Sequence, residues 1–223
     1  MDAKLVRDAL TKVCSGLVGV ALLLFVPAGT LRWWNAWLLL GVLFVPMVAA
    51  GLVMLFRAPD LLRSRLSIRE EQQDQRLVIA LSGLMFLASF VLAGLGRRWG
   101  WIALPRPVCM VGAAVYLLGY ALFGEVLREN AYLSRTVEVQ EGQHVVDTGL
   151  YGIVRHPMYA ATLLMFLAMP VILGSPFSLA FMLSYLPIIQ LRMDGEERLL
   201  AQELEGYADY LKRVRWRVIP HVW

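Results

Sequence analysis

Along the chain, long uncharged runs alternate with short polar stretches. Val13–Ala28 holds 16 residues, Trp33–Phe56 24, Leu77–Gly96 20 and Pro107–Gly124 18, without a single Asp, Glu, Lys or Arg. About 20 residues, at roughly 1.5 Å rise each, cross a hydrocarbon core of about 30 Å. Each of these runs therefore predicts one membrane helix, the first a short one. The fifth run, Pro157–Leu191, has 35 residues, too long for one helix and slightly short for two full spans. Gly174-Ser175-Pro176 lies at its middle and supplies a turn. The pattern predicts a helical hairpin with short arms, the second bent at Pro187. An all-α integral membrane protein with about six transmembrane segments follows.

The polar stretches carry their own patterns. Arg57–Arg76 mixes charge with Leu61, Leu62, Leu66 and Ile68 and reads as an interfacial amphipathic helix. Arg135–Gly149 alternates apolar and polar positions around Glu141-Gly142, which suits a short hairpin or an extended loop. Asp194–Arg213 has Leu199, Leu200, Leu204, Tyr207 and Leu211 at helical spacing and predicts an amphipathic C-terminal helix. Lys4, Arg7 and Lys12 before the first run, with Val26-Pro27-Ala28 at its end, resemble a signal peptide; we read the run as a helix of the membrane domain. No internal repeat or linker divides the chain. It reads as a single multi-pass domain over 1–223, with N-terminal helices in 1–134 and a catalytic half in 135–223.

Composition agrees with the pattern. The 223 residues are 59% hydrophobic and 17% charged, against about 45–50% and 25% in a soluble domain. That excludes a disordered chain, a disulfide scaffold and an ordinary cytosolic enzyme. The two cysteines, Cys14 and Cys109, fall near opposite faces of the predicted bilayer, so no disulfide is expected. With the N-terminus inside, the inner segments hold 17 of the 21 Lys and Arg residues and the outer loops 4. This positive-inside asymmetry places both termini, and the C-terminal amphipathic helix, in the cytoplasm. The membrane would be the inner or plasma membrane of a prokaryote, or the endoplasmic reticulum of a eukaryote.

Two clusters could carry chemistry. The first is Thr148-Gly149-Leu150-Tyr151-Gly152-Ile153-Val154-Arg155-His156-Pro157-Met158-Tyr159. Pro157 suits the first turn of a helix, whose free N–H groups and positive dipole end favour an anion such as a carboxylate. Arg155, His156, Tyr151 and Tyr159 add donors and aromatic faces. Interfacial anchoring by the same residues is the plainer reading. The second cluster is Arg192-Met193-Asp194-Gly195-Glu196-Glu197. Arg192 and Glu196 share a face if the last membrane helix continues, with Leu199/Leu200, Glu203, Tyr207 and Tyr210 near that face. Adjacent carboxylates there could hold a ribose or a cationic group, or simply complement a helix start. The hairpin begins beside His156 and ends beside Arg192, so both clusters return to one membrane face. Together they form one candidate pocket, and ionisable groups at that depth are functional candidates.

Other chemistries find no support. The chain lacks a phosphate-binding glycine loop, H-E-x-x-H, paired CxxC and G-x-S-x-G. His144, His156 and His221 lack metal-ligand spacing, so no metal site is expected. Basic residues lie in separate short segments, so no nucleic-acid partner is expected.

Gly149-x-Tyr151-x-x-x-Arg155-His156-Pro157-x-Tyr159, followed after the hairpin by Arg192-x-x-x-Glu196-Glu197-x-x-Leu200, resembles the isoprenylcysteine carboxyl methyltransferase family. These are membrane enzymes that use S-adenosyl-L-methionine and release S-adenosyl-L-homocysteine; phospholipid N-methyltransferases are related. The tail Gly206-Tyr207-x-x-Tyr210-x-x-x-Val214-x-x-x-x-Ile219-Pro220 is similar too. The resemblance covers about His144 to Pro220. It implies cofactor contacts from His144, Val145 and Val146 in a loop, from Tyr151 at the adenosine, from Arg155, His156, Pro157, Met158 and Tyr159 at the helix start, and from Glu196. It implies a substrate-contacting Arg192, and Glu197 near the methyl group. It implies membrane lipids as surroundings and a lipophilic or lipid-modified acceptor entering from the bilayer. That acceptor could be a prenylcysteine carboxylate, an amine, a phospholipid headgroup or a thiol. Competing readings are a sterol-reductase-like enzyme using NADPH, suggested by the tail Arg217–Trp223, and a small transporter or structural membrane protein. The second is disfavoured because no ionisable residue sits at mid-membrane.

Overall fold

The computed structural model describes residues 3–57, 59, 62, 63, 73–130, 132 and 142–223, apart from the side chains of 73–77. Among them every regular element is helical. The helices are α1 (Ala3–Ala28), α2 (Trp34–Arg57), α3 (Gln73–Trp99), α4 (Arg106–Glu129), α5 (Pro157–Ile172), α6 (Pro176–Met182), α7 (Tyr185–Glu203) and α8 (Tyr207–Arg213), with a 3-10 turn at Gly149–Gly152 before α5.

Among the described residues four helices are long and apolar enough to cross a membrane: Ala3–Ala28, Trp34–Arg57, Val78–Trp99 and Arg106–Glu129, of 26, 24, 22 and 24 residues. They contain the four single runs of the sequence, to within one residue at the starts of the second and third. The first is longer than expected, because the polar residues from Ala3 to Lys12 continue the helix of the apolar run. The predicted hairpin is present, with its turn at Leu173–Ser175 and Pro176 opening α6. Its arms are shorter than a span: α5 has 16 residues, and the second arm is divided into α6 and α7. The break falls at Leu183–Ser184 rather than at Pro187. Pro187 is instead the third residue of α7, in the first turn, where a missing N–H costs no helical hydrogen bond.

The amphipathic stretch Asp194–Arg213 is also divided. α7 carries it uninterrupted as far as Glu203, and a turn at Leu204–Gly206 then separates it from α8. Gly206, at φ 82°, takes the left-handed conformation that opens α8. The expected interfacial helix at Arg57–Arg76 lies largely outside the described residues. So does the first half of the Arg135–Gly149 stretch, whose described part, 142–149, contains no strand.

Contacts group the described residues into two compact units. One takes those of 1–69, 86–114 and 168–182, the other those of 70–85, 115–167 and 183–223. In the first, the Phe25 and Trp37 rings meet at 5.0 Å. Asn35 Nδ2 donates to the Ile172 carbonyl at 2.7 Å, and the Ser89 and Ser178 hydroxyls share a hydrogen bond at 2.6 Å. These buried polar pairs replace contacts that water cannot make in a membrane. In the second, α4 rests on α5 through Gly119, where a Cβ would come within 2.9 Å of Met165 Cγ and 3.1 Å of the Ala161 carbonyl. A small residue there lets the backbones approach.

Candidate functional site

The second unit is organised around residues that anchor the start of α5. The Arg155 and His156 N–H groups donate to the carbonyls of Trp216 and Arg217 at 2.9 and 2.8 Å, while those of Tyr159 and Ala160 donate to the His156 carbonyl. Pro157 has no N–H to place. Most donors that the sequence reading offered to an anion are therefore engaged within the chain, because the segment after α8 pairs with this helix start.

Behind that start lies an ion cluster. Glu197 Oε1 is 2.9 Å from His156 Nε2 and 3.2 Å from Arg155 Nε. Its Oε2 accepts from Arg217 Nη2 at 2.7 Å, and Arg217 Nη1 donates to Asp194 Oδ1 at 2.7 Å. Burial pushes the Glu197 carboxyl upward, but the His156 hydrogen bond and the charges of His156, Arg155 and Arg217 outweigh it, holding it below the usual carboxylate range.

Beside the cluster opens a cleft with about 840 Å³ of empty space, part of it open to solvent. His144, Val145, Val146, Tyr151, Arg155, His156, Met158, Tyr159, Arg192 and Glu196 line it. Sequence reasoning named all ten. Tyr159 links two of its neighbours: Arg192 Nε donates to the Tyr159 hydroxyl at 2.9 Å, and that hydroxyl donates to Glu196 Oε2 at 2.9 Å. Because α7 runs unbroken from the hairpin into the polar stretch, Arg192 and Glu196 fall one turn apart on the face toward the cleft. Glu197 and Pro157, also expected in the site, do not line it. Both Glu197 oxygens are taken by the ion cluster, one residue further round α7, and Pro157 is fully buried as the first residue of α5.

The remaining wall comes from Asn130, Tyr132, Gln143, Leu200, Leu204, Tyr207 and Tyr210. Leu200, Tyr207 and Tyr210 were read near this face. Asn130 and Tyr132 were not, and their signal was a polar and an aromatic residue just beyond the last apolar turn of α4. The Asn130 amide donates to the Tyr151 hydroxyl at 3.0 Å, and the Tyr210 hydroxyl donates to the Tyr151 carbonyl at 2.8 Å. Tyr132 and His144 meet edge to face, with the hydroxyl 3.0 Å from Nδ1. Burial raises Tyr151 to about 12 and also raises Tyr207 and Tyr210, so these phenols stay protonated and neutral at physiological pH.

Gly149 sets the loop that presents Tyr151. Its φ is 54°, and a Cβ there would overlap the Glu129 carboxylate, which accepts from the Leu150 N–H at 2.8 Å. Gly149→Ala is expected to cost about 1–2 kcal/mol from the left-handed backbone alone. Thermal unfolding in detergent should show it as a loss of a few degrees, at about 2–4 °C per kcal/mol. An unchanged melting temperature would show that the loop can reorganise around the new side chain.

Comparison with known proteins adds three findings. A family model described as phospholipid methyltransferase matches residues 108–205. Curated relatives include the Delta(14)-sterol reductase of Methylotuvimicrobium alcaliphilum, 26% identical over 141 residues, covering 56% of this chain and 31% of the relative. The Delta(14)-sterol reductase of Arabidopsis thaliana is 26% identical over 133 residues, covering 55% and 36%. The chain thus spans about a third of the length of these relatives. Among solved structures, the eukaryotic intramembrane Ras methyltransferase ICMT (isoprenylcysteine carboxyl methyltransferase) is similar with a TM-score of 0.59. It is 18% identical, with 94% of this chain and 75% of that chain covered. The resemblance drawn from the two motifs is borne out: the chain is an integral membrane protein with the isoprenylcysteine carboxyl methyltransferase fold, and residues 108–205 carry the related phospholipid methyltransferase pattern.

Proposed function

We propose that this protein is an S-adenosyl-L-methionine-dependent methyltransferase that acts at the membrane on a lipophilic acceptor, most like a protein-S-isoprenylcysteine O-methyltransferase. The observation that carries the reading is the single cleft into which Tyr159 brings Arg192 and Glu196 together. The donor set fits the cofactor: a carboxylate for hydroxyl or ammonium groups, the Arg155 guanidinium for a carboxylate, and aromatic side chains for a base. In this reading Tyr151, His144, Val145, Val146, Met158 and Tyr159 form the cofactor's walls and Glu196 its polar anchor. Both termini and the polar segments around the cleft face the cytoplasm, and the α5–α7 hairpin completes six membrane segments.

Bound there, S-adenosyl-L-methionine supplies an activated methyl group on a sulfonium. The chain's contribution is alignment and exclusion of water. Tyr159 fixes the Glu196 carboxylate on one side and the Arg192 guanidinium on the other, so the cofactor anchor and an acceptor-binding charge hold one geometry. Arg192 then suits an acceptor with an anionic group, and a carboxylate acceptor needs no general base. Glu197 holds Arg155 and His156 in the cleft wall as a positioning residue.

Calorimetric titration of the detergent-purified protein with S-adenosyl-L-homocysteine tests the reading. Binding is expected, with at least about a tenfold loss of affinity in Glu196→Ala, the scale of one charged hydrogen bond. Unchanged affinity in that variant would overturn the site assignment. NADPH serves as the parallel ligand, because the curated relatives are sterol reductases; binding of NADPH alone would favour a reductase.

A further inference from the structure

The first unit contains a second cleft, with about 870 Å³ of empty space, part of it open to solvent, where the α1–α2, α3–α4 and α5–α6 connections meet. Arg32, Arg97 and Arg106 line it, together with Trp33, Trp34 and Trp101. Stretches 29–35, 96–107 and 173–176 contain four arginines and no Asp or Glu. Among the described residues none of the four pairs with a carboxylate. Arg97 Nη2 donates to the Arg32 carbonyl at 3.4 Å, and the Arg106 guanidinium stands 5.7 Å from the Trp34 ring.

This charge is costly by two general rules. The four arginines are all the Lys and Arg that the positive-inside count leaves in outer loops. Arg106 also opens α4, where the helix dipole disfavours a cation. A bound anion would offset both, and bidentate guanidinium groups suit phosphate oxygens. An apolar groove points to the rest of the ligand. Val18, Ala21, Leu22, Phe25 and Val26 line it along α1, and it ends at Leu31, one residue before Arg32. From residue 18 to 28 the helix rises about 15 Å, roughly the depth of one leaflet's hydrocarbon. Leu22 and Val26 are exposed along this groove.

We propose that this cleft and groove form a site for an anionic phospholipid, the headgroup phosphate on Arg97 and Arg106 and an acyl chain along α1. The site lies in the first unit and is independent of the methyltransferase reading. The leaflet is the one that the charge count makes the outer one.

Native mass spectrometry of the detergent-purified chain, with added dioleoyl phosphatidylglycerol, dioleoyl phosphatidylcholine or inorganic phosphate, tests it. Phosphatidylglycerol should be retained about tenfold over phosphatidylcholine, a basic residue near anionic lipid contributing on that scale. The preference should vanish in R97Q/R106Q and persist in R97K/R106K, with inorganic phosphate failing to displace the lipid. Equal retention of the two lipids by the unaltered protein would overturn the proposal, whether or not the glutamine variant folds. Displacement by inorganic phosphate would also overturn it, since the site would then take a free anion.

Discussion

Glu197→Ala is expected to destabilise the protein by about 3–5 kcal/mol, because it leaves buried cations without their counter-charge. Glu197 is only 7% exposed, and its two oxygens meet Arg155, His156 and Arg217. Thermal unfolding in detergent, at pH 7, measures the loss. Glu197→Gln keeps the shape and should fall short of the alanine variant's loss. The two variants losing less than about 1 kcal/mol each would show that the cluster contributes little beyond a surface ion pair. The same residue sets an acid limit. Its folded-state carboxyl lies below its unfolded value, about 4.3, so its stabilisation is complete above that pH. It is lost as the pH falls through the folded value. Wild-type melting temperature should therefore drop steeply below about pH 4.3, and the glutamine variant should show a shallower drop.

The second large effect concerns turnover. Arg192→Ala is expected to lower kcat/KM about a hundredfold for an anionic acceptor, the scale of a strong charge-assisted hydrogen bond. It should leave S-adenosyl-L-homocysteine affinity within a fewfold, since Glu196 remains. Arg192 and Glu196 both bond the Tyr159 hydroxyl, so Tyr159→Phe tests whether their roles are coupled. In a cycle of the two single variants and the double, the effects should be non-additive, because one variant removes the partner of the other. Full additivity, with kcat/KM untouched by Arg192→Ala, would remove the arginine from the acceptor site and leave it as a helix-surface contact.

Much of the site was legible because its residues occupy fixed spacings on elements that the hydrophobic pattern identifies. Arg192 and Glu196 are four apart, which places them together only if the helix is continuous, and α7 is. The RHPxY run could be placed because proline marks a helix start. What the spacing missed follows from contacts distant in sequence. Glu197 sits next to Glu196 but points to Arg217, 20 residues on, and to Arg155 and His156, about 40 residues back. Two adjacent glutamates cannot be told apart by type. The 100° between successive helical residues separates them, one into the cleft and the other into the ion cluster. Asn130 and Tyr132 carry no motif, and their place in the wall depends on where α4 ends against Tyr151.

The sequence by itself determined that the chain is a membrane protein, where its long helices run and which two segments converge. Those conclusions rest on local quantities: the length of apolar runs against bilayer thickness, turn chemistry at Gly174-Ser175-Pro176, and the spacing of polar residues along one helix. Only the tertiary structure decided that the second hairpin arm breaks before Pro187, that the helix start at Pro157 is closed by the carbonyls of Trp216 and Arg217, and that Glu196 and Glu197 have separate partners. Each of these depends on satisfying buried polar groups across long sequence separations, and which carbonyl or guanidinium is within reach is set by packing rather than by order along the chain.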